Sequence, residues 1–270
     1  ADARPAATGG ASPWLVAVGV MAIWSSLVVG LFLPLFPLSM VCNLLCARVS
    51  QPLVRAVLLL AWPLAGLGLL HKLGADVPEP VLNWALATSA LYAVRLLALR
   101  ELSTWTGFLA TSVWALLWIP AREDFALADI ALDALGFSAP LALLVLVTVL
   151  LDRRIGGAYA GITGGIAASL PRLSVVLVIC LLAAVATPPF PGFFSLLSLL
   201  MLASPVNVIG LLVVWLLWSW AAARLIQGFI VGTSARDSGA RDIGLPFSWG
   251  MAMAFTALLL TGVLLTGELL

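Results

Sequence analysis

Two carboxylates, Asp129 and Asp133, stand four residues apart, so a helix places them on one face. In an apolar medium such a pair can share a proton, since each negative charge disfavours the other. They also sit near the start of an apolar segment, where acids favour the helix N-terminus and meet water. Arg95 and Arg224 lie one to two turns inside the ends of apolar segments. A long basic side chain there either snorkels to the surface or pairs with a carboxylate. These four residues are the candidates for a proton path. His71, the only histidine, ends an apolar run beside Lys72 and reads as interfacial. Glu101 follows Arg100 at a segment boundary, to pair or to face water. Cys42 and Cys46 share a helix face, but no histidine or further cysteine joins them into a zinc ligand set. With Cys180 they make no disulfide framework. Gly156, Gly157, Gly161, Gly164 and Gly165 precede no Lys-Ser/Thr and follow no strand, so they form no phosphate loop. No nucleophile–base pair appears. The sequence therefore implies no catalytic residue, no metal and no cofactor.

The elements that must hold these residues are set by composition. The 270-residue chain is 63% hydrophobic and 9% charged, against about a quarter charged in a soluble domain. So few charges cannot cover a water-facing surface, and apolar runs of about twenty residues read as membrane spans. The expected fold is all-α, a polytopic helix bundle of about nine spans. They fall near 14–36, 54–70, 81–99, 104–120, 126–151, 173–188, 193–204, 208–231 and 247–267. The region 193–213 is interrupted by Pro205 and Asn207 and fits a broken or short span. Residues 1–13 read as a flexible N-terminal segment and 14–270 as a single transmembrane domain. A net charge of +1 gives no attraction to nucleic acid. Basic residues slightly favour loops after odd-numbered spans, which points those loops to the cytoplasm. Trp62, Trp84, Trp105, Trp118 and Trp249 lie near span ends, as interfacial anchors do. In "WLLWSW", Trp215 and Trp218 share a face, which suits interfacial anchoring or packing against a subunit, a lipid or a quinone tail.

A series of motifs adds an ancestry. The chain reads "DRR" at 152–154, "GGIAASLP" at 164–171, Ala184 four residues before Pro188, and "GFF" at 192–194. It continues outward in "LYAVRLLALRELSTWTGFLATSV" (91–113), "WAAARLIQGF" (220–229) and, more faintly, 36–70. In this order and spacing the motifs resemble the proton-conducting antiporter-like subunits of respiratory complex I and its relatives. Those relatives are multisubunit cation/proton antiporters, membrane-bound hydrogenases and energised inorganic-carbon uptake systems. The likeness covers about residues 36–265. It resembles the C-terminal two thirds of a family member, without the family's first spans. It implies an integral subunit of a larger assembly in a bacterial cytoplasmic membrane, with other membrane subunits and lipid as partners and a quinone nearby.

The resemblance also implies which side chains should carry protons, and here the sequence departs from it. The lysine of the family's broken helix falls near Leu64. Its second lysine falls on Trp105, with the preceding aspartate on Ser103. The family's histidine falls near Gly136, and the charged residue after Gly-Phe on Leu196. None of these can ionise near neutral pH. The expectation is a degenerate, N-terminally shortened subunit that is mainly structural or accessory and not itself catalytic. The alternative is an active proton or cation conductor whose path has moved to Asp129, Asp133, Arg95 and Arg224. A quinone-site enzyme would need a convergent polar pocket, which the sequence hardly supplies.

Overall fold

Proline and glycine set the helix boundaries. Proline stands at the first or second position of the last helix (Pro246) and of five helices before it, where its missing N–H costs nothing. In the computed structural model, which describes residues 24–74, 77–122, 126–161, 165–231 and 241–269, those five are α2 (Pro52–Leu73), α3 (Glu79–Leu96), α8 (Pro171–Ala184), α9 (Pro191–Leu202) and α10 (Pro205–Ile230). Helices α2 and α6 (Leu127–Ile155) end at Gly74 and Gly156, both left-handed at φ 54° and 76°. The remaining helices are α1 (Ser39–Arg48), α4 (Leu102–Ala115), α5 (Trp118–Arg122), the single turn α7 (Ile166–Ser169) and α11 (Leu245–Leu269). The chain is thus a helical membrane bundle. Among the described residues five stretches are long and apolar enough to cross a bilayer: α2, the α4–α5 pair, α6, α10 and α11. Most of the expected first span and the N-terminal segment 1–13 lie outside the described residues. Gly164 lies there too.

Long-range hydrogen bonds fix which helix ends share a face. The Leu102 N–H donates to Ala158 O at 3.0 Å and the Ala160 N–H to Arg100 O at 2.9 Å. The Gly161 N–H donates to Gly228 O at 2.9 Å, and an Arg55 N–H to Ser103 O at 2.6 Å. The Arg172 and Leu173 N–H groups donate to the Asp242 carboxylate at 2.8 and 3.2 Å. The ends of α3, α6 and α10 therefore meet the starts of α2, α4, α8 and α11 at one face. Of the eleven Lys and Arg among the described residues, nine lie there: Arg48, Arg55, Arg95, Arg100, Arg153, Arg154, Arg172, Arg224 and Arg241. The other two, Lys72 and Arg122, mark the opposite face.

Helices α8 and α9 have 14 and 12 residues. At 1.5 Å per residue they reach about 21 and 18 Å, each short of the ~30 Å hydrocarbon core. They are two halves of one crossing. Helix α8 starts at the arginine face beside Asp242. The chain turns at 185–190, around Pro188 and Pro189, and α9 resumes against Gly136 deep in α6. It ends at the far face, where Leu202 lines a cavity with Pro120. The apolar runs at 173–188 and 193–204 are therefore not joined by a hairpin. This places Arg241 with the other arginines, whereas an alternating count assigns it to the opposite side. A second break lies at 30–38, between a helix at 24–29 and α1. There the Phe36 N–H donates to Thr88 Oγ1 at 3.1 Å, and Trp118 Nε1 donates to Leu33 O at 3.1 Å. Helix α1 then runs to the arginine face. The two broken crossings point in opposite directions.

Tryptophan packing differs from the expected belt. Trp105, Trp118 and Trp218 are wholly buried, so they fill the core rather than anchor at the bilayer surface. Trp215 also turns inward: Nε1 donates to Val185 O at 3.1 Å, at the α8 break, and its ring meets Phe193. Trp84 and Trp249 remain exposed, as anchors should be.

Candidate functional site

Three of the four positions that the family resemblance would charge are sealed by packing, and all four are uncharged. Trp105 and Leu196 are buried, at 0% and 1% exposure, and Gly136 is buried under α9. Leu64 is half-buried on α2. Ser103 is held by Arg55, which donates to both its hydroxyl and its carbonyl. The Trp105 indole N–H has no hydrogen-bond partner.

The middle of the bundle is instead joined by neutral hydrogen bonds. Ser39 Oγ and Tyr92 OH are 2.9 Å apart, linking α1 to α3. Asn43 Nδ2 donates to Thr111 Oγ1 at 2.9 Å, linking α1 to α4, and Thr111 Oγ1 donates to Gly107 O at 2.9 Å. Ser112 Oγ donates to Ser89 O at 2.7 Å and accepts from Trp218 Nε1 at 2.8 Å, which ties α3, α4 and α10. Trp114 Nε1 donates to Ser138 Oγ at 2.9 Å, joining α4 to α6. Buried polar groups in lipid need such partners, because no water completes them. Sequence reading missed these residues. Isolated Ser and Thr in apolar helices commonly bond back to their own helix, as Thr106 and Thr148 do here. Only the fold shows which reach across.

Asp129 and Asp133 do come together. Both line a cavity of ≈250 Å³ at the face opposite the arginines, with Ser195, Ser198 and Leu265. Asp129 is exposed and Asp133 half-buried. Ser198 Oγ donates to Asp133 Oδ2 at 3.3 Å and to Ser195 O at 2.8 Å. Ser195 Oγ, buried in the same wall, has no partner within the protein. Arg95 and Arg224 are elsewhere. Asp133 precedes the end of α6 at Ile155 by 22 residues, about 33 Å along the axis, and the arginines lie at that far end. Arg95 stacks over Phe108, 5.5 Å from the ring centre. Arg224 donates to Leu97 O at 2.8 Å. The four candidates therefore do not converge on one site.

His71 and Lys72 are exposed at the end of α2. Glu101 accepts from Thr104 Oγ1 at 2.7 Å. Cys42, Cys46 and Cys180 are buried free thiols. Among the described residues no three of His, Cys, Asp and Glu gather to hold a metal.

The same arrangement recurs in solved membrane complexes. The chain superposes on a chain of the Mrp complex from Dietzia sp. DQ12-45-1b with a TM-score of 0.80 over 94% of its length. The chain has the antiporter-like subunit fold. A chain of the archaeal membrane-bound sulfane sulfur reductase matches with a TM-score of 0.77 over 93%, and one of respiratory complex I from Thermus thermophilus with 0.68 over 90%. Sequence identity is 16%, 17% and 20% in turn. The chain spans 57%, 54% and 54% of those three chains, a little over half of each. No protein-family model matches the sequence, and no curated protein matches it.

Proposed function

We propose that this chain is an antiporter-like subunit of a multisubunit membrane assembly, of the broad type that holds its structural neighbours. Its role there is accessory: it supplies helical surface rather than a proton path. The observation that carries this reading is the pair Trp105 and Leu196. Both are uncharged and buried at positions where the resemblance calls for protonatable side chains. A proton relay needs groups that change charge, and buried ionisable groups in membranes are kept where they have such a task. Neutral Ser, Thr, Asn and Trp contacts hold the helices together but store no proton near neutral pH. The arginine-rich face is read as cytoplasmic by the positive-inside rule, which puts the Asp129–Asp133 cavity on the outer side. In a bacterial cell the membrane is the cytoplasmic one.

The test is purification in mild detergent from the native host. The chain is expected to co-purify with other membrane subunits, and by itself to drive no proton-coupled transport in liposomes. A monodisperse lone chain with such transport overturns the proposal.

A second reading, a relocated conducting path, is favoured by the contact of Ser198 with Asp133 beside the unpartnered Ser195 Oγ. It requires Asp133→Asn to abolish proton-coupled activity of the assembly. Intact coupling in that variant removes it.

A further inference from the structure

Arg100 and Arg224 line one cleft of ≈330 Å³ at the arginine face, with Leu97, Gln227, Gly228 and Gly161. The backbone brings them there. Helices α3 and α10 run parallel, with Gly210 against Leu86 toward one face and Arg224 on Leu97 O at the other. The loop at 160–161 closes the cleft through its bonds to Arg100 O and Gly228 O, both 2.9 Å. Gly228 makes this approach possible: a Cβ there would lie 2.9 Å from Ala160 Cβ and 3.1 Å from Gly161 N. No Asp or Glu lines the cleft, and the adjacent Glu101 is engaged by Thr104. A cleft lined by two arginines and no carboxylate leaves their positive charge to be met by an anion from outside the chain.

The surroundings say which kind of anion. Trp220 lies one turn before Arg224 and is 59% exposed, and Val94 on α3 is 55% exposed. Apolar surface therefore begins directly beneath the charges, with a tryptophan at the level that bilayer interfaces select. An anion carrying apolar chains fits both parts. We propose that this cleft holds the phosphate group of an anionic phospholipid, its acyl chains lying along Val94 and Trp220. The site depends on the membrane fold and is independent of whether the subunit conducts protons.

The test uses the purified full chain, delipidated in detergent. It is titrated separately with phosphatidylglycerol, phosphatidylcholine and inorganic phosphate, reading thermal stability and lipid retention by native mass spectrometry. Phosphatidylglycerol is expected to bind and stabilise most. The double variant Arg100→Gln, Arg224→Gln is expected to weaken it roughly 30-fold, since each basic side chain at a membrane surface contributes about fivefold. Arg100→Gln alone keeps the Arg224–Leu97 bond and should cost about fivefold, which preserves the test if the double variant misfolds. Arg153→Gln, an exposed arginine outside the cleft, should change nothing. Equal responses to the two lipids, or full phosphatidylglycerol binding by the double variant, overturn the proposal. An equal shift with inorganic phosphate assigns the cleft to a free anion and overturns the lipid. No response to any of the three leaves the arginines to a partner subunit's carboxylate and also overturns it.

Discussion

A Cβ built on Gly136 would lie 2.9 Å from the Ser195 hydroxyl oxygen and 3.6 Å from the Pro191 carbonyl carbon. This contact presses α6 against the start of α9, at the position where the family resemblance calls for a histidine. The two obstacles differ in kind. The Ser195 hydroxyl makes no hydrogen bond and can rotate away, whereas the Pro191 backbone cannot.

Gly136→Ala should therefore be tolerated. Rotation of Ser195 is cheap, and alanine gains up to about 1 kcal/mol of helix propensity over glycine. Gly136→His should cost about 1–3 kcal/mol, the usual range for overpacking, because its ring must pass Pro191. Thermal unfolding in detergent separates the two. Equal stability of both variants would show that α9 yields, and would reopen the position to an ionisable group.

The sequence was informative wherever a local rule sufficed. Pro52, Pro171, Pro191 and Pro205 started helices, Gly74 and Gly156 ended them, and apolar length marked the long crossings. It was not enough at Pro188 and Pro189. Proline reports that a helix stops, but not which way the chain continues. That direction is set by contacts far apart in sequence, Asp242 with Leu173 and Gly136 with Pro191. The candidate site divided in the same way. Four-residue spacing correctly put Asp129 and Asp133 on one face, but depth along a helix separates Arg95 and Arg224 from them by the thickness of the bundle. Neutral partners such as Ser112 and Trp218 carry no local signal, since their meaning lies in the helix opposite.

Asp242 caps a helix from 70 residues away, its carboxylate accepting from the Arg172 and Leu173 N–H groups at the start of α8. Asp242→Ala leaves those donors without their acceptor and should cost about 1–2 kcal/mol, as loss of an N-cap does. Asp242→Asn keeps one acceptor oxygen and should fall between. Amide hydrogen exchange at 172–174 is the direct readout. Unchanged protection in the alanine variant would mean the cap contributes nothing to the first turn of α8.

Gly262 lets α11 close over the break between α8 and α9. A Cβ there would lie 2.5 Å from Pro189 O and 3.3 Å from the Phe190 carbonyl carbon, both backbone atoms. Gly262→Ala must therefore move one segment. It should cost about 1–3 kcal/mol despite alanine's better helix propensity. The neighbouring Gly250→Ala, with no atom within 4 Å of its Cβ, should be neutral or slightly stabilising. Melting temperatures of the pair decide the point, and matching losses in both would trace the effect to α11 itself rather than to the break.

If neutral hydrogen bonds hold the centre, the costs of removing the two partners of one bond should not add. Ser112→Ala leaves the buried Trp218 N–H without its 2.8 Å acceptor and removes the bond to Ser89 O. An unsatisfied buried donor costs about 1–3 kcal/mol. Trp218→Phe alone removes the donor but leaves Ser112 bonded to Ser89, so its loss should come mainly from packing. In the double variant the indole is gone, so the orphan term disappears and the combined cost should be less than the sum of the singles. Neighbouring residues that share a bond typically couple by 0.5–3 kcal/mol. A double-mutant cycle on thermal or denaturant unfolding measures this directly. Strict additivity would mean that α4 and α10 are held by apolar packing alone, and that the Ser112–Trp218 bond does not help to fix their register.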